Sequence, residues 1–233
     1  MDFDSVSRNL TRYISNHHTQ LQQVPVIQSQ LLELGALVTS VEHYRAQGYS
    51  IAPENLRNGD FRLKRSSGGK PWNFSWFLAT RGPRSVEIHT NMTSGGAYGE
   101  DKARYVVDVG VCEPGTLPTS KKEQKEWLAI DNQFLITFVE AKKLTIYPML
   151  LAQFIGIVHE IKPQFLSKDF ENPEFEAEGH FRPTLVTTGP WARLCEQIYK
   201  AYDSRGFRIR VLPNLDLILA NLKSDAAPED HFK

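Results

Sequence analysis

The sequence predicts an α/β protein in which a central mixed β-sheet is flanked by helices. Three observations carry that prediction. Apolar residues recur at helical spacing over residues 27–47 and again over 148–162. Short runs rich in β-branched and aromatic residues lie between and after them, bounded by Gly, Ser and Pro. Strands and helices that alternate along one chain pack best as layers around a shared core.

The elements follow in order. Residues 5–23 read as a polar helix, and Pro25 separates it from the next element. Leu31, Leu34, Leu37, Val38, Val41 and Tyr44 mark the apolar face of a helix over 27–47, and Gly48 is placed to stop it. Strands are predicted at 61–65, 74–80, 85–92 and 103–112, separated by Ser66-Ser67-Gly68-Gly69 and Ser94-Gly95-Gly96. Residues 113–133 carry the charged run Lys121-Lys122-Glu123-Gln124-Lys125-Glu126, a solvated loop or short surface helix. A strand follows at 134–139. Pro148 suits the first turn of a helix ending before Pro163. The remainder reads as a strand at 184–187, a helix at 191–204, a strand at 207–212 and a helix at 215–222.

Composition narrows the function. No apolar stretch reaches the roughly 18 residues of a membrane span, and the N-terminus lacks a signal-peptide pattern. Cys112 and Cys195 have no metal-ligand spacing and read as reduced thiols of a cytoplasmic protein. The 27 basic and 27 acidic residues cancel, yet they are unevenly placed. Positions 57–84 hold seven basic residues against Asp60 alone, while 169–178 holds five acidic residues and no basic one. Arg62, Lys64, Arg65 and Lys70 are therefore candidate phosphate contacts, with Phe61, Trp72, Phe74, Trp76 and Phe77 interleaved. The aromatics themselves suit a packed core better than base stacking.

The strongest chemical feature is Glu140-Ala141-Lys142 at the end of an apolar strand. Side chains alternate along a strand, so Glu140 and Lys142 share a face. Asp108 interrupts the otherwise apolar run Val106-Val107-Asp108-Val109. If the two strands pair, the carboxylates of Asp108 and Glu140 converge into an oxygen-rich site for Mg²⁺ or Mn²⁺. Lys142 would then orient or help deprotonate an attacking water, or offset charge at phosphorus.

Asp108, the Glu140-Ala141-Lys142 triplet, Gln153 on the following helix and the element order over residues 27–187 together resemble the PD-(D/E)xK nuclease superfamily. The resemblance implies a restriction-endonuclease-like core and metal-dependent hydrolysis of DNA or RNA. It implies that Asp108 and Glu140 bind metal, that Glu42 on the preceding helix adds a ligand, and that Lys142 and Gln153 assist catalysis. The sequence departs from the pattern in having Val107 before Asp108 and a long gap before Glu140. Asp131 is a nearer aspartate, but Asp131-Asn132 reads as a turn. On this reading residues 26–223 form the nuclease-like domain, 1–25 an N-terminal helical segment and 224–233 a disordered tail.

The rival function is a catalytically inactive nuclease-like binding or scaffolding subunit of a larger assembly, which the neutral charge favours. A homo-oligomer or a protein partner fits either reading. Of the remaining polar residues, Glu87 and His89 alternate on one strand and read as the exposed face of a sheet edge.

Overall fold

The computed structural model describes residues 28–98, 103–118, 129–170 and 172–215. The expected helix at 5–23, residues 119–128 of the 113–133 insertion, most of the helix at 215–222 and the tail lie outside the described residues. So does the N-terminal segment 1–25.

Helix α1 (Gln28–Ala46) leads into β1 (Ser50–Glu54), β2 (Trp76–Arg81), β3 (Arg84–Gly95), β4 (Arg104–Cys112) and β5 (Leu135–Lys142). After these come α2 (Pro148–Ile161), α3 (Pro173–Ala177), β6 (Thr184–Thr187), α4 (Cys195–Ser204) and β7 (Arg210–Leu212). Among the described residues, seven strands lie in one sheet in chain order. Pairings from β1 to β5 are antiparallel, and β5–β6 and β6–β7 are parallel. The parallel step from β5 to β6 needs a crossover, and α2 lies within it. The protein is thus α/β, a mixed sheet flanked by helices.

Two apolar clusters cover the sheet. Leu34, Leu37, Val38 and Val41 of α1 pack with Val86, Ile88, Val109, Val111 and Val139. Leu151, Phe154 and Val158 of α2 pack with Leu135, Phe138 and Leu185. Neighbouring residues Phe138 and Val139 fall in different clusters, as strand alternation requires. Both are fully buried, and truncating Phe154 or Leu37 to Ala should destabilise the fold by about 3 kcal/mol. No described helix is long and apolar enough to cross a membrane.

The structure corrects several expectations. Residues 61–65 form no strand; Arg62 bonds to Ser75 through main chain and hydroxyl instead. The sheet's first strand is β1, which contains Pro53. Proline removes a main-chain donor, a loss tolerated at an edge, and β1 is an edge strand. Glu87 and His89 are not on an edge: β3 runs between β2 and β4. The helix expected from residue 191 begins at Cys195, after Leu194 in the left-handed region at φ 70°. The last strand is only Arg210–Leu212.

Candidate functional site

The site forms where β4 and β5 part. Their last main-chain pair at this end is Val109 with Val139. One step further along lie Asp108 and Glu140. There the Asp108 carboxylate takes the place of the ladder, its Oδ2 accepting from Ala141 N at 2.7 Å. The same oxygen accepts from Lys142 Nζ at 3.2 Å, and Lys142 Nζ also lies 2.7 Å from Glu140 Oε2. One ammonium therefore bridges two carboxylates on adjacent strands. The structure brings Asp108, Glu140 and Lys142 together.

The three groups differ in exposure. Glu140 is 3 % exposed, whereas the Lys142 side chain is 37 % exposed. Burial, then the charge of Asp108, raises the Glu140 carboxyl to about 7 despite the ammonium beside it. For Lys142, burial is the largest influence and acts to lower its pKa. Glu140 and Asp108 together outweigh it and hold the ammonium above its ordinary value. Among the described residues, Glu140 Oε1 is buried and finds no hydrogen-bond partner. A buried carboxylate oxygen left bare is costly; a proton, a water or a cation would each satisfy it.

A third carboxylate approaches from α1. Glu33 is partly buried, and its pKa is raised first by that burial and further by Asp108. Asn91 Nδ2 donates to Glu33 Oε2 at 2.7 Å. Asn91 sits in β3 opposite Asp108, between the pairs Thr90–Val109 and Met92–Val107. Its φ of 47° lies in the left-handed region that Asn tolerates. Apolar alternation breaks at this point: Ile88 and Val109 belong to one core cluster, Met92 and Val107 to the other.

The helix carboxylate that feels Asp108 and Lys142 is thus Glu33, where the resemblance pointed to Glu42. The two are nine residues apart, roughly half a turn around the helix and about 13 Å along it. Glu42 is buried and pairs with Arg45. Gln153 lies on the exposed side of α2. The hydrogen bonds of Asp108 and Glu140 run to Ala141 and Lys142, not to Gln153.

Comparison with known proteins adds no family. No family model matches the chain, and no curated protein or solved structure matches it. The site must be read from its own geometry.

The four basic candidates separate. Arg62 and Arg65, with Arg57, Phe61 and Phe74, line an open hollow of about 450 Å³. Lys70 is exposed, its ammonium 5.4 Å from the Trp72 ring centre. Lys64 is not a surface contact. It is buried, and its Nζ donates to Asn91 O at 2.7 Å. Burial lowers its pKa to about 8. Lys64 therefore supports the strand residue that holds Glu33, a role hidden in sequence because lysine in a polar stretch ordinarily reads as solvated.

Proposed function

We propose that the chain is a metal-dependent nuclease of the PD-(D/E)xK kind, hydrolysing phosphodiester bonds in DNA or RNA. The observation that carries this reading is the bridge from Lys142 Nζ to both Asp108 Oδ2 and Glu140 Oε2, at 3.2 and 2.7 Å. Two carboxylates on diverging strands with an ammonium between them suit hydrolysis at phosphorus better than a purely structural role. A structural ion pair needs one acid, and burying a second is unfavourable.

The donor set fits Mg²⁺ or Mn²⁺, since it is all oxygen: Asp108 and Glu140, with Glu33 within electrostatic reach. A bound divalent ion would polarise the phosphoryl oxygens and make water a better nucleophile at neutral pH. The chain's own groups do the rest. Asp108, pinned by Ala141 N, fixes one side of the site. Glu140 keeps one buried oxygen, Oε1, without a hydrogen-bond partner and so available to an ion. Lys142, the most exposed of the three, offsets negative charge that grows at phosphorus. Arg62 and Arg65 offer phosphate contacts along the hollow they line.

The test is incubation of the purified chain with single- and double-stranded DNA and RNA in Mg²⁺, in Mn²⁺ and in EDTA. Metal-dependent cleavage lost in Asp108→Asn and Lys142→Ala supports the reading. Binding without cleavage under every condition would replace it with the scaffolding role.

A further inference from the structure

A second cluster lies on β3 and β4, away from the carboxylate pair, and it has a different donor chemistry. Glu87 and Cys112 are direct partners across the two strands. His89, two residues beyond Glu87, falls on the same face. The Glu87 carboxylate, a His89 ring nitrogen and the Cys112 sulfur all lie within 4.8 Å of one another. We infer that Glu87, His89 and Cys112 form a binding site for a zinc-class ion, separate from the site at Asp108 and Glu140.

The donor set decides the class of ion. One oxygen, one nitrogen and one sulfur do not make a magnesium or calcium site, which is built of oxygen alone. Zinc takes all three, at about 2.3 Å from sulfur and about 2.0 to 2.2 Å from nitrogen and oxygen. Donor atoms within 4.8 Å need only small side-chain adjustments to reach those distances. Three protein ligands leave a fourth position for water or another donor.

The surroundings orient the ligands as supporting groups do around metals. Trp76 stacks on the His89 ring, with centres 5.4 Å apart and planes 21° apart. Glu87 Oε1 accepts from Gly115 N at 3.1 Å, which leaves Oε2 aimed at His89 Nε2, 3.0 Å away. Without an ion, burial and then the Glu87 charge keep the Cys112 thiol protonated, while the Thr116 hydroxyl favours its thiolate. Zinc would take Cys112 as the thiolate, so its entry would release the thiol proton.

On β4, Gly110 lies midway in sequence between Cys112 and Asp108. Met92 covers it so closely that a Cβ at position 110 would stand 2.4 Å from Met92 Cε. An ion at Cys112 would tie β3 to β4 and, through Glu87, to the Gly115 turn.

The experiment adds Co²⁺, as a spectroscopic stand-in, and then Zn²⁺ to the chelator-treated full chain. We expect a thiolate-to-cobalt charge-transfer band with tetrahedral visible bands, displaced by zinc. Cys112→Ala should abolish the charge-transfer band, and Cys195→Ala should keep it. Glu87→Gln and His89→Ala should each weaken zinc binding by about tenfold or more. Circular dichroism checks that each variant folds, and Glu87→Gln keeps the site testable if Cys112→Ala does not. Asp108→Asn should bind zinc as the parent does, which separates this outcome from the fate of the nuclease reading. A parent without the charge-transfer band overturns the inference. So does a band that survives Cys112→Ala, or zinc binding unchanged in Glu87→Gln and His89→Ala.

Discussion

Asn91 Nδ2 donates to Glu33 Oε2 at 2.7 Å, tying the first helix to the strand that lies beside Asp108. The same amide group also donates to Lys64 O at 3.1 Å, while Lys64 Nζ returns a bond to Asn91 O at 2.7 Å. A residue in the left-handed region thus holds a helix, a loop and a strand in register around the carboxylates.

That position should be sensitive in a specific way. Asn91→Gly loses the side-chain bonds but keeps the backbone conformation freely. Asn91→Ala loses the bonds and adds left-handed strain of roughly 1–2 kcal/mol. Urea denaturation should therefore rank the parent above Asn91→Gly, and Asn91→Gly above Asn91→Ala. Equal destabilisation by the two variants would show that the φ of 47° is not what selects asparagine here.

Glu140 makes stability depend on pH. Its carboxyl titrates near 7 in the folded protein, against an ordinary value of 4.5, because burial and Asp108 disfavour its charge. The folded state therefore binds more protons than the unfolded state between those values. Stability from this group is full below about 4.5, falls as pH rises, and is lost above about 7. In metal-free buffer the parent should lose stability relative to Glu140→Gln across that window, by no more than about 3 kcal/mol. A difference between the two proteins that stays constant from pH 4 to pH 8 would refute the assignment.

The basic stretch should divide into two behaviours. Arg62→Ala with Arg65→Ala should weaken nucleic-acid binding and flatten its salt dependence, since both line an open hollow. Lys64→Ala should instead lower thermal stability, because it leaves Asn91 O without the buried ammonium that satisfies it. Salt titrations of affinity and melting curves, run on the same variants, distinguish the two. A Lys64→Ala protein with parental stability would contradict its structural role.

The sequence made the core of this site legible because the relevant rules are local. Strand alternation alone put Glu140 and Lys142 on one face, and helical spacing marked both covering helices. What it left open depended on contacts between elements. Both Glu33 and Glu42 lie on the same helix, and only the way α1 packs on the sheet decides which one meets Asp108. Alternation gives Glu87 and His89 a common face but says nothing about a strand's place in the sheet, and β3 is interior, not an edge. The strand at Ser50–Glu54 has no clear sequence signal, since it contains Pro53, which a strand tolerates at the sheet edge. Lys64 is buried by a carbonyl that Asn91 presents from a distant strand.

Metal and lysine should be separable at the carboxylate pair. Asp108 and Glu140 repel when both are charged, and a divalent ion relieves that repulsion. Mg²⁺ should therefore raise the melting temperature by mass action, equivalent to about 2.7 kcal/mol when the ion is at 100 times its dissociation constant. Asp108→Asn and Glu140→Gln should both lose this response while the fold survives. In the metal-free state the two variants should diverge: Asp108→Asn should lose stability, because Asp108 Oδ2 accepts from both Ala141 N and Lys142 Nζ, whereas Glu140→Gln at neutral pH should gain it. Lys142→Ala is the informative variant. It leaves the oxygen ligands in place and removes the ammonium bridging them, so the Mg²⁺ response should persist or strengthen while cleavage falls by about a hundredfold or more. Melting curves with and without Mg²⁺, run beside a cleavage assay on all four proteins, read both properties. Cleavage at the parental rate in Lys142→Ala would remove the lysine from the chemistry, and loss of its Mg²⁺ response would make Lys142 a structural part of the metal site.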